Sequence, residues 1–290
     1  MIVVIDVFPG HFQEFIKNGE SEKWRGAVCA LLAAFLLFFS FQTAARAATE
    51  PATPEQAFAA VRAEADKGDA RALITLGGFY AEGFGVQKNF SLARECYEKA
   101  AETGAAEGIY NVGVCWEIGM GSEADVARAA VYFRRAADMD LPQALFKMSV
   151  ILDAGSGVAR DEAASIEYMT KAANAGHPDA AGIMGLVYLN GLKGQIKNPS
   201  EGVKMLNAAA SAGNVEAMKN IAVVYKDGLG GVKASPADAL KWYTIAEKCG
   251  YPAQALAAIK EDLGKKLTGE QRKKAESDAE AWLTKARKAL

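Results

Sequence analysis

Small or turn-forming residues recur along this chain at an almost constant interval. Gly68, Gly104, Asp140, Gly176, Gly213 and Gly250 stand 36, 36, 36, 37 and 37 residues apart. A period of this length marks a repeat array, in which each unit buries its apolar face only against its neighbours. The chain has 290 residues, 51% of them hydrophobic, and near-balanced charge, which is enough apolar matter for a soluble array with a substantial core.

Counting on from each marker, the same residue types return. Ala72, Gly108, Ala144, Ala180 and Ala217 come first, then Leu76, Val112, Met148, Met184 and Ile221, then Tyr80, Trp116, Leu152, Tyr188 and Tyr225. Steps of four on one face are the helical period, so each repeat opens with an amphipathic helix. A turn follows at Gly83, Gly119, Gly155, Gly191 and Gly228, with a second glycine at Gly85, Gly121, Gly157, Gly194 and Gly230. Asn89, Asp125, Asp161, Asn198 and Ser235 then stand where a second helix should start, and their short polar side chains are good N-caps. Pro199 and Pro236 follow two of them at the first helical position, where a missing N–H costs nothing. The second helix carries Ala93, Ala129, Ser165, Gly202 and Ala239, then Tyr97, Phe133, Met169, Leu206 and Tyr243. Five stacked helix pairs are expected.

The stretch "LGGFYAEGFGVQKNFSLARECYEKAAETG" resembles the Sel-1-like repeat, whose pattern runs A-x-x-x-L-G-x-x-Y-x-x-G-x-G-V-x-x-D/N, a spacer, then A-x-x-W/Y-Y-x-K-A-A-x-x-G. Residues 69–250 fit it five times. The departures are Ser149 in place of glycine, "GMGSEAD" without valine in the second repeat, and one inserted residue in "NGLKGQIKNPSEG" of the fourth. The resemblance implies an all-α fold, a right-handed α-solenoid of stacked antiparallel helix pairs forming a tetratricopeptide/Sel-1-like superhelix with first helices lining a concave surface. Residues 48–68 are expected to form an N-terminal capping helix and 251–290 C-terminal capping helices with a polar outer face.

Upstream, "KWRGAVCALLAAFLLFFSFQTAARAATEPA" places Lys23 and Arg25 before an apolar run, Gly26 to Phe41, and small residues at Ala45-Arg46-Ala47. That order predicts a leader and secretory signal over 1–47 with cleavage after Ala47. The alternative is a retained membrane anchor, against which the apolar run stops short of the roughly 20 residues that span a bilayer. Cys29 precedes the apolar run and so does not sit where a lipidated cysteine would. The mature chain keeps Cys96, Cys115 and Cys249, an odd number. Cys96 and Cys115 fall on neighbouring antiparallel helices, either as a disulfide or as two small buried apolar residues.

Gly83-Phe84-Gly85 read alone could be a phosphate-cradling turn. Its recurrence, after a helix instead of a strand, points to turn geometry. The chain has two histidines, His11 and His177, and no C-x-x-C or H-x-x-x-H spacing, so no catalytic residue, metal site or cofactor is expected. Residues 48–259 hold 20 Lys/Arg against 25 Asp/Glu, and 260–290 hold 9 against 6. No basic stripe with interleaved aromatics suits nucleic acid. The expected partner is a protein or peptide, with a membrane involved only if the signal segment is retained.

One residue before the core Leu/Met/Ile position of each first helix stand Thr75, Asn111, Lys147, Ile183 and Asn220. By analogy with helical-repeat receptors this row faces the groove. Asn111, Lys147 and Asn220 are the candidates for bonding a partner's backbone or carboxylate, with Lys219 assisting and Thr75 in line; the alternative is ordinary polar surface. The resemblance implies a non-catalytic, exported interaction scaffold, of the kind that assembles envelope complexes or regulates a membrane sensor kinase from the periplasm. It also implies a rival, since cysteine-rich secreted relatives act weakly as β-lactam hydrolases. Those carry a regular cysteine pair per repeat, which is absent here.

Overall fold

The computed structural model describes residues 53–289. The leader and export signal expected over 1–47 lie outside the described residues. The described residues divide into two compact bodies, 53–111 and 112–289. Among the described residues there are thirteen helices and no strand.

A leading helix α1 (Pro54–Ala65) is followed by α2 (Ala70–Glu82) and α3 (Phe90–Glu102), the pair of the first repeat. Then come α4 (Ala106–Ile118) with α5 (Val126–Ala137), α6 (Pro142–Ala154) with α7 (Glu162–Asn174), α8 (Pro178–Asn190) with α9 (Pro199–Ser211), and α10 (Val215–Asp227) with α11 (Pro236–Lys248). Helices α12 (Ala253–Lys265) and α13 (Gly269–Ala289) close the chain. In the first body α2 packs between α1 and α3; in the second, each helix from α6 to α11 packs on the one before and the one after.

Local chemistry sets the helix ends. Each expected N-cap bonds the third helical amide: Asn89 accepts from Leu92 N at 3.1 Å, Asp125 from Arg128 N at 2.8 Å and Asp161 from Ala164 N at 2.9 Å. Asn198 and Ser235 each do the same at 3.2 Å, from Glu201 N and Asp238 N. Such a cap contributes about 1 kcal/mol. First helices α2, α6, α8 and α10 end on a left-handed glycine, as at Gly83 with φ 76° and Gly155 with φ 68°.

Two glycine positions set the packing. On the first helix, a Cβ at Gly77 would lie 2.5 Å from the Tyr97 ring, and one at Gly113 would lie 2.8 Å from Phe133, so glycine lets a large second-helix ring lie against the backbone. Ser149 fills the same position in the third repeat because Met169 stands opposite, with Sδ 3.7 Å from Ser149 Oγ, while Ser165 Oγ donates to Ser149 O at 2.8 Å. The second turn glycine joins repeats. A Cβ at Gly85 would meet Pro54 O at 2.1 Å, at Gly157 Ala127 N at 2.7 Å, and at Gly230 Pro199 O at 2.9 Å. In all three places the turn rests on the start of the preceding second-type helix, α1, α5 or α9.

The closing helices complete the second core. Leu267, Ala275, Ala279 and Leu283 are buried with Leu256 and Tyr243, and Trp282 meets Trp242 edge-on at 5.4 Å. Among the described residues no helix is long and apolar enough to cross a membrane.

Candidate protein-binding face

Among the described residues no group of three or more His, Cys, Asp or Glu side chains could hold a metal ion. Cys96 is a buried free thiol, and burial pushes its pKa up to about 11, so it packs as a small apolar residue and is a poor nucleophile. At Gly157 and Gly230 the second turn glycine packs closely against the preceding repeat, which leaves no room there for a bound phosphate. A cleft of about 630 Å³ between α11, α12 and α13 has its charges matched internally, Lys248 with Glu280 and Lys260 with Glu247.

His177 is structural. It N-caps α8, its Nδ1 accepting from Ala180 N at 3.4 Å, and its ring stacks on Phe146 with centroids 4.3 Å apart. Burial holds its pKa down at about 4, against 6.5 for a free imidazole. The unfolded chain therefore takes up a proton near pH 6.5 and the folded chain only near pH 4. Stability present above pH 6.5 is lost as pH falls through that window. Urea unfolding of the wild type and His177→Asn, in which an amide oxygen keeps the cap, should show about 2 kcal/mol of acid destabilisation peculiar to the wild type. Asp179 acts in the opposite sense in both proteins, because burial raises its carboxyl although its hydrogen bond from Asn214 lowers it. Equal pH slopes would contradict the assignment.

The same place in successive repeats is used for joining them. Phe146 stacks on His177, a Cβ at Gly182 would lie 3.7 Å from Asn214, and Lys219 Nζ lies 5.8 Å from the Tyr251 ring centre. Each pairs a residue in the middle of one first helix with the residue that precedes the next. Asn214 also donates to Asp179 at 2.5 Å while accepting from Ala217 N.

The sequence-predicted row is divided by this packing. Thr75, in the first body, is half-buried and donates to Arg71 O at 2.9 Å. Asn111 is only 2% exposed, turned into the packing instead of toward solvent. In the second body Lys147 is half-buried, its Nζ 2.9 Å from Glu117 and 5.6 Å from the Phe133 ring centre. That ion pair ties the first helices of the second and third repeats together. Lys219 pairs with Glu216 at 2.7 Å beside Tyr251, and Asn220 is half-buried.

Among the residues that the second body leaves open on its first helices, three are large and apolar. Val150 and Ile183 are 44% and 39% exposed, and Ile118 is 60% exposed. Val150 has repeat equivalents in Val114, Leu186 and Val223, which are buried or half-buried. These lie three residues beyond the predicted row, on the same helix face.

The Sel1 repeat family matches five consecutive segments, 70–104, 106–141, 142–177, 178–214 and 215–251. A Sel1 repeat protein from Oxalobacter formigenes is similar over 80% of this chain and 91% of its own, with 27% identity and a TM-score of 0.61. The uropathogenic Escherichia coli protein c5321, described as a protective antigen with an SLR fold, is similar over 82% of this chain, with 26% identity and a TM-score of 0.60. The match spans 50% of that longer chain. A search of curated proteins returns no match.

Proposed function

Since the chain belongs to the Sel1 repeat family, whose members are typically protein–protein interaction scaffolds, we propose that it is a non-catalytic, exported adaptor that docks a protein or peptide on the first-helix face of its second body. The observation that carries this reading is the exposure of Ile118, Val150 and Ile183 beside the half-buried Lys147–Glu117 pair. Burying an aliphatic side chain of this size contributes about 1.5–3 kcal/mol, so two or three such contacts at the centre of an interface make a useful hot spot. The flanking ion pair offers polar groups at the rim, where they set orientation more than affinity. Export rests on the order of basic, apolar and small residues before Ala47.

Photo-crosslinking amino acids at 150 and 183, compared with 167 and 204 on the solvated side of α7 and α9, test the face in living cells. A discrete protein adduct from 150 and 183 alone is expected. Adducts only from 167 and 204 would place the contact on the second helices and overturn this reading.

A further inference from the structure

The fourth repeat differs from the first three at its turn, which carries one more residue. At Gly157 and Gly230 the turn rests on the start of the previous repeat's second helix: a Cβ there would lie 2.7 Å from Ala127 N and 2.9 Å from Pro199 O. The turn Gly191–Asn198 has the length of the fifth, Gly228–Ser235, but sets Lys193, with φ 51°, where the fifth has Gly230, with φ 67°. Gly194 and its counterpart Gly231 both have nothing within 4 Å of a built Cβ. Against the turn is a cleft of about 530 Å³ lined by Glu162, Ala163 and Ile166 of α7 and by Lys193, Gly194 and Gln195.

The turn carries its apolar residues outward. Leu192 is 50% exposed, whereas its equivalent Met120 in the second repeat is 6% exposed. Ile196 is 88% exposed and stands where the first three repeats carry Gln87, Glu123 and Ala159. Conversely Gln195 occupies the place of Val86 and Val158, which are half-buried. The polar and apolar residues have exchanged sides, so neither the core nor the turn accounts for Ile196. The loop is nevertheless held in shape: Lys193 adopts φ 51°, unusual for a side chain with a Cβ, and its Nζ lies 3.0 Å from Asp153 of the preceding repeat.

Lys193 is paired with Asp153 and Glu162 lines the cleft, and within the turns themselves the charge is positive. Residues 191–198 carry Lys193 and Lys197 and no acid, and the next turn, 228–235, adds Lys233 and no acid. A single turn of eight residues offers far less surface than a face built from several first helices, and a protein interface needs that breadth. Apolar tips set between lysines do suit a bilayer surface, where the tips enter the headgroup boundary and lysines meet anionic lipid. We propose that the turn Gly191–Asn198 is a peripheral contact for an anionic lipid surface, with Ile196 and Leu192 inserting and Lys197 and Lys233 meeting the headgroups.

The test uses the full chain with a genetically encoded environment-sensitive fluorescent amino acid replacing Ile196, where its apolar ring stands in for the side chain. A second protein carries it at Val131, an exposed apolar position on α5. Phosphatidylcholine vesicles with about one-third phosphatidylglycerol should blue-shift the emission at 196 and leave 131 unchanged, whatever the leader contributes to overall binding. Pure phosphatidylcholine should give no shift at 196. Lys197→Gln should weaken the anionic response about fivefold, and added salt should weaken it further. Unchanged emission at 196, an equal shift at 131, or a shift caused only by a protein captured at the first-helix face would overturn the proposal.

Discussion

Gly157→Ala is expected to destabilise the second body by about 3–5 kcal/mol, and Gly155→Ala, two residues away, by only about 1–2 kcal/mol. The two glycines have nearly the same left-handed backbone, φ 69° and φ 68°, so the strain of adding a Cβ is nearly the same. They differ in what the Cβ would meet. At Gly155 the nearest atom is the Arg160 Cβ at 3.2 Å, part of a solvated loop side chain that can yield. At Gly157 it is the backbone of Val126 and Ala127, both at 2.7 Å, on the first turn of α5. A backbone atom within a helix cannot move without disturbing the Asp125 cap that holds it, so the seam between the second and third repeats must open. Urea unfolding of both variants, with hydrogen exchange reporting on α5 and α6, measures the difference. Equal losses would mean that the turn's conformation matters and its seat does not.

Ending the chain after Leu267, which removes α13, is expected to harm the protein more than deleting the whole of residues 142–177. In a nearest-neighbour array an internal deletion removes one unit and one interface, and the flanking repeats rejoin through equivalent faces. Removing α13 leaves a face with no replacement. Leu256, Tyr243 and Trp242 lose Ala275, Ala279, Leu283 and the edge of Trp282. The internal deletion should keep a soluble monomer melting within about 10 °C of the wild type, while the truncated chain should melt at least about 15 °C lower or aggregate. Size-exclusion chromatography and thermal unfolding followed by tryptophan fluorescence separate the two outcomes. A monomeric truncation more stable than the internal deletion would contradict nearest-neighbour stabilisation.

Much of this was legible in the residues, for a physical reason. Helix ends are decided within four or five residues, so Asn89, Asp125, Asp161, Asn198 and Ser235 could be read as caps directly, and each makes the expected bond. The core face was equally plain because Leu76, Val112, Met148, Met184 and Ile221 repeat the helical period, and only the period was needed to see it. Exposure on the other face was not legible. Asn111 and Asn220 occupy the same place in their repeats, yet one is buried and the other half-buried, because what covers a side chain comes from a neighbouring repeat. Lys219 reads as a free surface cation until Tyr251 and Glu216 are found beside it. The inserted residue in the fourth repeat was visible in sequence, but the exposure of Ile196 was not, since that depends on what the neighbouring repeats leave uncovered.

The face proposed for partner docking depends on side chains that contribute little to the fold, which makes it separable from stability. Val150 and Ile183 are substantially exposed, so Val150→Asp with Ile183→Asp should leave helix content and melting temperature close to wild type. The decisive measurement is the affinity of this double variant, by titration calorimetry, for the protein captured through crosslinkers at 150 and 183. The docking reading predicts at least about a hundredfold loss of affinity, since two apolar contacts of about 1.5 kcal/mol or more each are replaced by buried charge. Unchanged affinity in a folded double variant would contradict it.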